Sequence, residues 1–308
     1  MMGKTLGAGK ICYVLGPAVV FTYLLMVMGN FVTSTDSGLA CPDWPLCHGT
    51  VTPPLELSIW FEWGHRLLGA FAGILIVLST VFVWRHHKGV PRYLMGAVTA
   101  LLVFGVLMGG VIVITEAPHL DSFARVAIVS SHLLISTLVL ICLIFTFRYV
   151  AVQRVVMDKA YYPLLFSAVY LMVVLGILVR YSGSSLACPD FPLCNGELIP
   201  SFSDYAVALH FSHRVFAVII ILLNMAILYR AVREGEGVIG YIVTFFLVLL
   251  QASFGVLIVS TGMFLPVIVL HGATGFLLLA WLAYQSMPYF FQYAHKANGT
   301  YQETAGAS

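Results

Sequence analysis

Charged residues are scarce in this chain of 308 residues: lysine, arginine, aspartate and glutamate together make up 9% of it, whereas hydrophobic residues make up 60%. Soluble domains contain about 25% charged residues, so this composition excludes an ordinary soluble protein. The formal net charge of +2 gives no indication of a nucleic-acid partner, and none is expected.

Two targeting signals are also missing near the first hydrophobic segment. It lacks the small-residue cleavage site of a secretory signal peptide, so we expect it to remain in the protein as a helix. No arginine-rich amphipathic transit segment precedes it, which favours a prokaryotic plasma membrane.

Long apolar segments are abundant. Eight of them are long enough to cross roughly 30 Å of hydrocarbon as helices. We therefore predict an all-α integral membrane protein, embedded in membrane lipid, whose spans are 12–33, 60–84, 93–114, 125–147, 162–181, 206–230, 238–260 and 265–287.

The distribution of basic residues predicts the orientation of these spans. Of the 15 lysines and arginines, most fall at one set of segment ends. By the positive-inside rule these ends face the cytoplasm, together with both termini, and the cysteine-containing loops lie on the extracytoplasmic side. The basic residues on that opposite side are Arg66, Arg125, Arg180 and Arg214.

The chain contains an internal repeat. Residues 37–49 read SGLACPDWPLCHG and residues 184–196 read SSLACPDFPLCNG, with identical residues at ten of thirteen positions. A repeat of four spans predicts two duplicated four-helix bundles. The predicted divisions are an N-terminal half at 1–158, a C-terminal half at 159–290 and a polar tail at 291–308.

Each repeated loop has two cysteines six residues apart: Cys41 and Cys47 in the first, Cys188 and Cys194 in the second. This spacing differs from that of zinc ligands, and disulfides persist outside the cytoplasm. We therefore predict one disulfide in each loop. Cys12 and Cys142 lie within apolar segments and are expected to be small buried residues.

Four of the ten histidines stand in equivalent positions in the two halves: His65, His132, His213 and His271. All lie near the outer ends of even-numbered spans, so they share one depth. Interhelical hydrogen bonds are the plainer explanation, but polar residues within spans usually face a bundle interior. Two imidazoles from facing helices bind heme iron axially, and an apolar bundle holds the porphyrin. The pattern predicts two bis-histidine heme sites.

Other residues complete this prediction. Arg66, Arg180 and Arg214 lie where they can pair with heme propionates, although extension of each side chain to the membrane interface is the alternative. Zinc or copper suits the second histidine pair less well, because no helical carboxylate or free thiolate accompanies it. The histidines not expected to bind a cofactor are His48, His86, His87, His119 and His295.

One acidic residue distinguishes the first half. Glu62 precedes His65 by three residues and shares its helical face, whereas His210 occupies the corresponding position before His213. A solvated acid at a helix start is the alternative. Its absence from the second copy favours a chemical role, so Glu62 is the candidate catalytic residue.

With these features the chain resembles the heme A synthase family. The resemblance rests on eight spans, duplicated halves, the loops GLACPDWPLCHG and SLACPDFPLCNG, and the motif EWGHR, and it covers nearly the whole chain. It implies an oxidoreductase that converts heme O into heme A. The methyl group on ring D would become a formyl group through two successive hydroxylations with oxygen from water.

The resemblance also implies different roles for the two halves. Heme O would bind as substrate between His65 and His132, with Glu62 required for the reaction. A permanent heme b would bind between His213 and His271 and transfer electrons. The implied partners are heme O synthase, the assembly of a terminal oxidase and an electron acceptor that the sequence does not identify.

Several expectations accompany this assignment. The Cys41–Cys47 pair is implicated in function by the resemblance, and we expect the longer outer loop at 115–125 to admit or cover heme O. A diheme b-type electron carrier without heme-modifying activity is the main alternative, and a heme transporter or chaperone is the third. The carrier explains the histidines but not Glu62 or the external cysteines.

Overall fold

The computed structural model describes residues 5–119, 122–151, 155–157, 161–291 and 301–303. Parts of three sequence predictions lie outside this description: the side chain of Cys12, the middle of the outer loop at 115–125 and most of the polar tail.

Eight long helices form the described part of the chain: α1 (Thr5–Ser34), α2 (Leu57–His86), α3 (Val90–Ile114), α4 (Ser122–Ala151), α5 (Tyr161–Tyr181), α6 (Tyr205–Glu234), α7 (Val238–Ser260) and α8 (Leu265–Phe290). All eight are long and apolar enough to cross a membrane. The prediction of an all-α, multi-pass membrane protein with eight spans is confirmed.

Three small elements lie outside these helices. A short 3-10 helix occupies Ala117–His119, between α3 and α4. Strand β1 (Val155–Met157) pairs in parallel with strand β2 (Tyr301–Glu303). Sequence patterns did not predict this pair, because three residues are too few to show a periodicity.

Helix ends follow from local sequence. Pro91 and Pro266 lie in the first turns of α3 and α8, where a backbone N–H has no partner within the helix and its loss is harmless. Asp204 caps α6, since its side chain accepts a hydrogen bond from the Ala206 N–H at 2.8 Å. Gly235 then ends α6 in the left-handed conformation, with φ of 71°.

Each half is a closed ring of four helices. In the first half α1 packs on α2, α2 on α3, α3 on α4 and α4 on α1, and α5 to α8 pack in the same order. The halves join where α8 packs on α1 and α4, and where α4 packs on α5. This architecture places α2, α3, α6 and α7 at the periphery.

Polar contacts with the backbone hold α1 against α8. Asn30 Nδ2 donates a hydrogen bond to the Ile268 carbonyl at 3.3 Å, and the Tyr23 hydroxyl donates to the Ala273 carbonyl at 3.1 Å. Gly272 allows this close approach, because a Cβ atom there would collide with the Asn30 amide. Small residues and hydrogen bonds are the usual means of helix association in lipid, where hydrophobic burial gives little driving force.

Candidate functional site

Both repeated loops contain the predicted disulfide. The sulfur atoms of Cys41 and Cys47 are 1.96 Å apart, and those of Cys188 and Cys194 are 1.94 Å apart. All four cysteines are buried, so each disulfide lies inside its loop. Cys142 is free and partly buried in α4.

An aspartate closes each loop. Asp43 Oδ1 accepts a hydrogen bond from the His48 N–H at 2.6 Å, and Oδ2 accepts one from the Gly49 N–H at 2.8 Å. Asp190 makes the same pair of bonds in the second loop. The pKa of each aspartate is lowered, chiefly by the amide of the closing glycine, because hydrogen bonds to a carboxylate favour its charged form.

An arginine anchors each loop to the following helix. Arg66 Nη1 donates to the carbonyls of Asp43 and Leu46, and Nη2 donates to that of Cys41 at 3.1 Å. Arg214 binds the three corresponding carbonyls of the second loop. Sequence reasoning missed this role. Contact of the two arginines with heme propionates stays a prediction.

Glu62 and His210 occupy equivalent positions and make the same contact. Glu62 Oε2 accepts a hydrogen bond from the Cys41 N–H at 2.8 Å, and His210 Nδ1 accepts one from the Cys188 N–H at 3.3 Å. Both side chains are buried. Glu62 also forms an ion pair with Arg66 at 2.5 Å. The first half therefore has a buried, paired carboxylate where the second has an imidazole.

His48 and Asn195 are a second equivalent pair. His48 Nε2 donates a hydrogen bond to the Ala40 carbonyl at 3.0 Å, and Asn195 Nδ2 donates to the Ala187 carbonyl at 3.3 Å. The two residues differ in type but donate the same hydrogen bond within the loop. Sequence comparison did not reveal that Asn195 is the structural equivalent of His48.

Trp44 extends the first loop over α3. A Cβ atom at Gly110 would lie 3.2 Å from the Trp44 ring, and the neighbouring Gly109 faces His132. The corresponding residues of the second half are Phe191 and Ser260. The first loop thus reaches the end of its bundle beside a predicted ligand.

The four predicted ligands lie in the bundles in pairs: His65 on α2 with His132 on α4, and His213 on α6 with His271 on α8. The members of each pair are close enough for their charges to interact. The Nδ1 atoms of three of the rings are buried without a hydrogen bond, yet each residue remains partly accessible.

His132 differs from the other three in its hydrogen bonding. Its Nδ1 donates to the Gly105 carbonyl at 3.0 Å, which leaves Nε2 as the nitrogen with a free lone pair. A hydrogen bond from one ring nitrogen to a backbone carbonyl commonly orients the other nitrogen towards a metal.

His271 has a polar neighbour that the first half lacks. The Gln251 amide lies 3.2 Å from His271 Nε2, and the Thr274 hydroxyl donates to Gln251 Oε1. Leu101 and Ile135 occupy the corresponding positions in the first half. Sequence reasoning missed Gln251, although a glutamine within an apolar span was a usable signal.

Arg180 connects the two halves. Its Nη2 donates to the Ser34 hydroxyl at 2.8 Å, and its charge acts on His271. Its Nε atom is buried without a hydrogen-bond partner. An unpaired buried donor beside His271 fits the predicted contact with an anionic group such as a propionate.

The donor set fits heme better than a bare metal ion. Among the residues that the structure describes, no group of three or more His, Cys, Asp or Glu side chains is arranged to hold an ion. Each bundle instead provides two imidazoles in an apolar interior, which is the donor set of bis-histidine heme.

Comparison with known proteins agrees with this geometry. The chain matches the COX15-CtaA family, described as cytochrome oxidase assembly protein, at residues 13–59 and 56–283. It is 34% identical over 291 residues to the heme A synthase of Bacillus cereus (strain G9842), covering 86% of this chain and 88% of the relative.

Two further relatives have the same name. The heme A synthase of Bacillus mycoides (strain KBAB4) is 34% identical over 293 residues, covering 86% of this chain and 89% of the relative. That of Bacillus anthracis (strain CDC 684) is 33% identical over 289 residues, with 86% and 88% covered. Because the matches extend through both halves, the chain belongs to the heme A synthase (COX15-CtaA) family.

Proposed function

We propose that this protein oxidises the ring D methyl group of heme O to the formyl group of heme A. Each of two hydroxylations takes its oxygen from water and releases two electrons and two protons, and the resulting geminal diol loses water. The observation that carries the proposal is the asymmetry of two otherwise matched sites. The buried Glu62 carboxylate, paired with the partly buried Arg66, lies beside the first histidine pair, whereas the second loop has His210 at that position.

The two histidine pairs have different occupants. His65 and His132 hold heme O as substrate in the N-terminal half, residues 1–158. His213 and His271 hold heme b in the C-terminal half, residues 159–290. Heme b supplies one-electron redox chemistry when it is bound. Arg180, with its unpaired Nε atom, is the arginine best placed for a propionate.

Glu62 acts through its carboxylate in this mechanism. Its two oxygens accept hydrogen bonds from the Arg66 guanidinium and the Cys41 N–H. A buried carboxylate stabilises positive charge that develops at the oxidised methyl carbon. To take a proton from the attacking water instead, an oxygen of Glu62 has to exchange one of these partners.

The first loop supports Glu62. The Cys41–Cys47 disulfide closes the loop, the Cys41 N–H binds the acid, and Arg66 binds both the loop and the acid. The disulfide therefore holds the donor that orients Glu62. Residues 115–125, next to the outer end of α3, admit or cover heme O.

The location follows from the charge distribution. The protein lies in a prokaryotic plasma membrane with both termini in the cytoplasm and the disulfide loops outside. Its partners are heme O synthase, the assembly of the terminal oxidase and an electron acceptor.

Pigment analysis after expression with a heme O supply tests the proposal. Wild-type protein should contain heme b and generate heme A, measured by pyridine hemochrome spectra and chromatography. Glu62→Gln should retain bound heme but accumulate heme O or the mono-alcohol.

Other outcomes would support different functions. Two tightly bound hemes without any heme A would favour a diheme b-type electron carrier, and reversible binding without product would favour a transporter. A normal yield of heme A from Glu62→Gln would remove Glu62 from the mechanism.

A further inference from the structure

Each of the four central histidines packs against a glycine of the preceding helix. A Cβ atom built on that glycine would lie close to Cε1 of the ring, at a distance that differs among the pairs. The pairs are Gly29 with His65 at 3.0 Å, Gly176 with His213 at 3.2 Å, Gly255 with His271 at 3.3 Å and Gly109 with His132 at 3.5 Å.

Three of these distances are shorter than ordinary van der Waals contact, so a methyl group at Gly29, Gly176 or Gly255 would force the ring to move. The rings facing these glycines are also those whose buried Nδ1 atoms make no hydrogen bond. His132, by contrast, is held by the Gly105 carbonyl and has the longest contact. Packing against a glycine is therefore a contact that these three rings share, and His271 has the Gln251 amide at Nε2 in addition.

We infer that Gly29, Gly176 and Gly255 are positioning residues that set the tilt of the imidazoles inside each bundle. The inference rests on the proposed function, because the tilt matters when an imidazole binds iron. A ring turned by about 30° from its preferred rotamer is disfavoured by up to roughly tenfold. The effect should be largest at Gly29, where the contact with His65 is closest.

Each glycine acts on one pocket. Gly29 faces the first histidine pair, whereas Gly176 and Gly255 face the second. An alanine at one of these three glycines should therefore disturb one heme and leave the other as an internal reference for correct folding. Because alanine is a better helix former than glycine, loss of the helix is not the expected result.

The test compares Gly29→Ala with two matched variants of the full-length protein, purified with its hemes. Gly16 lies on the same helix, and its Cβ atom would be 3.8 Å from Phe147, an ordinary contact. Gly109→Ala would meet His132 at 3.5 Å, which is also ordinary. Low-spin EPR spectra report the orientation of the axial imidazoles, and transfer to apomyoglobin reports how long each heme is retained.

We expect Gly29→Ala to shift the EPR signal of the first heme and shorten its retention by up to roughly tenfold. Gly16→Ala and Gly109→Ala should match the wild type, and the signal of the second heme should be the same in all four proteins. Gly176→Ala should show the reverse pattern, with the second heme disturbed.

Unchanged spectra and retention in both Gly29→Ala and Gly176→Ala would overturn the inference, as would an equal disturbance of both hemes by Gly29→Ala. A wild-type protein that binds both hemes but makes no heme A would overturn the proposed reaction and leave the glycine comparison valid. A wild-type protein purified without heme would overturn both.

Discussion

The disulfide-loop ends of the two halves share one framework and differ at one buried side chain. In both, a disulfide loop is closed by an aspartate and fastened to the next helix by an arginine. In both, the first cysteine of the loop donates its N–H to a side chain three residues before a central histidine. That side chain is Glu62 in the first half and His210 in the second, so the framework accepts either a carboxylate or an imidazole.

The comparison shows that the structural role of this position, which is to bind the loop, is separable from a chemical role of its side chain. Since His210 performs the structural part of the role of Glu62, the loop does not require an acid. The carboxylate and its ion pair with Arg66 are then an addition specific to the first half. The surroundings of the histidine pairs also differ, because Gln251 and Thr274 stand where the first half has Leu101 and Ile135.

The strongest way to break the comparison is Glu62→His, which places the second-half residue in the first half. The imidazole should still accept the Cys41 N–H, so the loop should remain intact. Heme A formation should fall by roughly 10²–10⁴-fold, the usual contribution of a positioned acid or base, measured as product per protein. His210→Gln is the matched control and should leave that rate near wild type. Retained activity in Glu62→His would show that the carboxylate is structural.

The second-largest difference between the halves should appear in protein stability when the anchoring arginines are removed. Arg66→Ala and Arg214→Ala both free a loop, but Arg66→Ala also leaves the buried Glu62 carboxylate without its cation. Loss of one partner of a buried pair costs about 3–5 kcal/mol, so Arg66→Ala should be the less stable variant. Thermal unfolding in detergent measures this difference. Equal destabilisation would mean that the ion pair contributes little.

Gln251→Leu makes the second pocket resemble the first. Iron binding at His271 Nε2 has to displace the Gln251 amide, a hydrogen bond worth about 1 kcal/mol. The variant should therefore bind heme in the second pocket about fivefold more tightly, measured by heme titration. Leu101→Gln is the reciprocal control and should weaken the first pocket. Weaker binding by Gln251→Leu would show that the amide assists heme instead.

The smallest difference between the halves should come from Asp43 and Asp190, because these two aspartates make the same hydrogen bonds. Their lowered pKa values mean that their stabilising contribution is complete above the unfolded pKa of about 3.9. It is lost as the pH falls through the lower folded value. Both loops should loosen together as the pH falls below about 3.9, measured by the rate at which a phosphine, which does not depend on a thiolate, reduces the disulfides between about pH 5 and pH 2. Asp43→Asn should remove this dependence from the first loop while the second keeps it.

Much of the fold was predictable, because its signals are local or repeated. The spans follow from apolar length, and the structure extends them by a few residues at the ends. Both disulfides follow from spacing and location. The equivalent positions of His65 and His213 follow from the repeat, which pointed to the site before any contact was known.

The partners of the site residues were not predictable in the same way. The contact of Arg66 and Arg214 with propionates stays a prediction, but the binding of their guanidinium groups to loop carbonyls more than twenty residues away was not predicted. His48 looked unique because the repeat has Asn195 there, yet the two donate equivalent bonds. Such contacts depend on which backbone groups the folded loop presents, and one chain without its structure does not reveal them.

The amino-acid sequence by itself determined the class of this protein, its eight spans, its paired cysteines and its four equivalent histidines, because hydrophobic length and repeated spacing are properties of the chain alone. Only the tertiary structure decided that Glu62 pairs with Arg66, that Gln251 reaches His271 and that a glycine faces each central imidazole. Those relations join different helices or loops, and they arise from the packing of side chains that are distant in sequence.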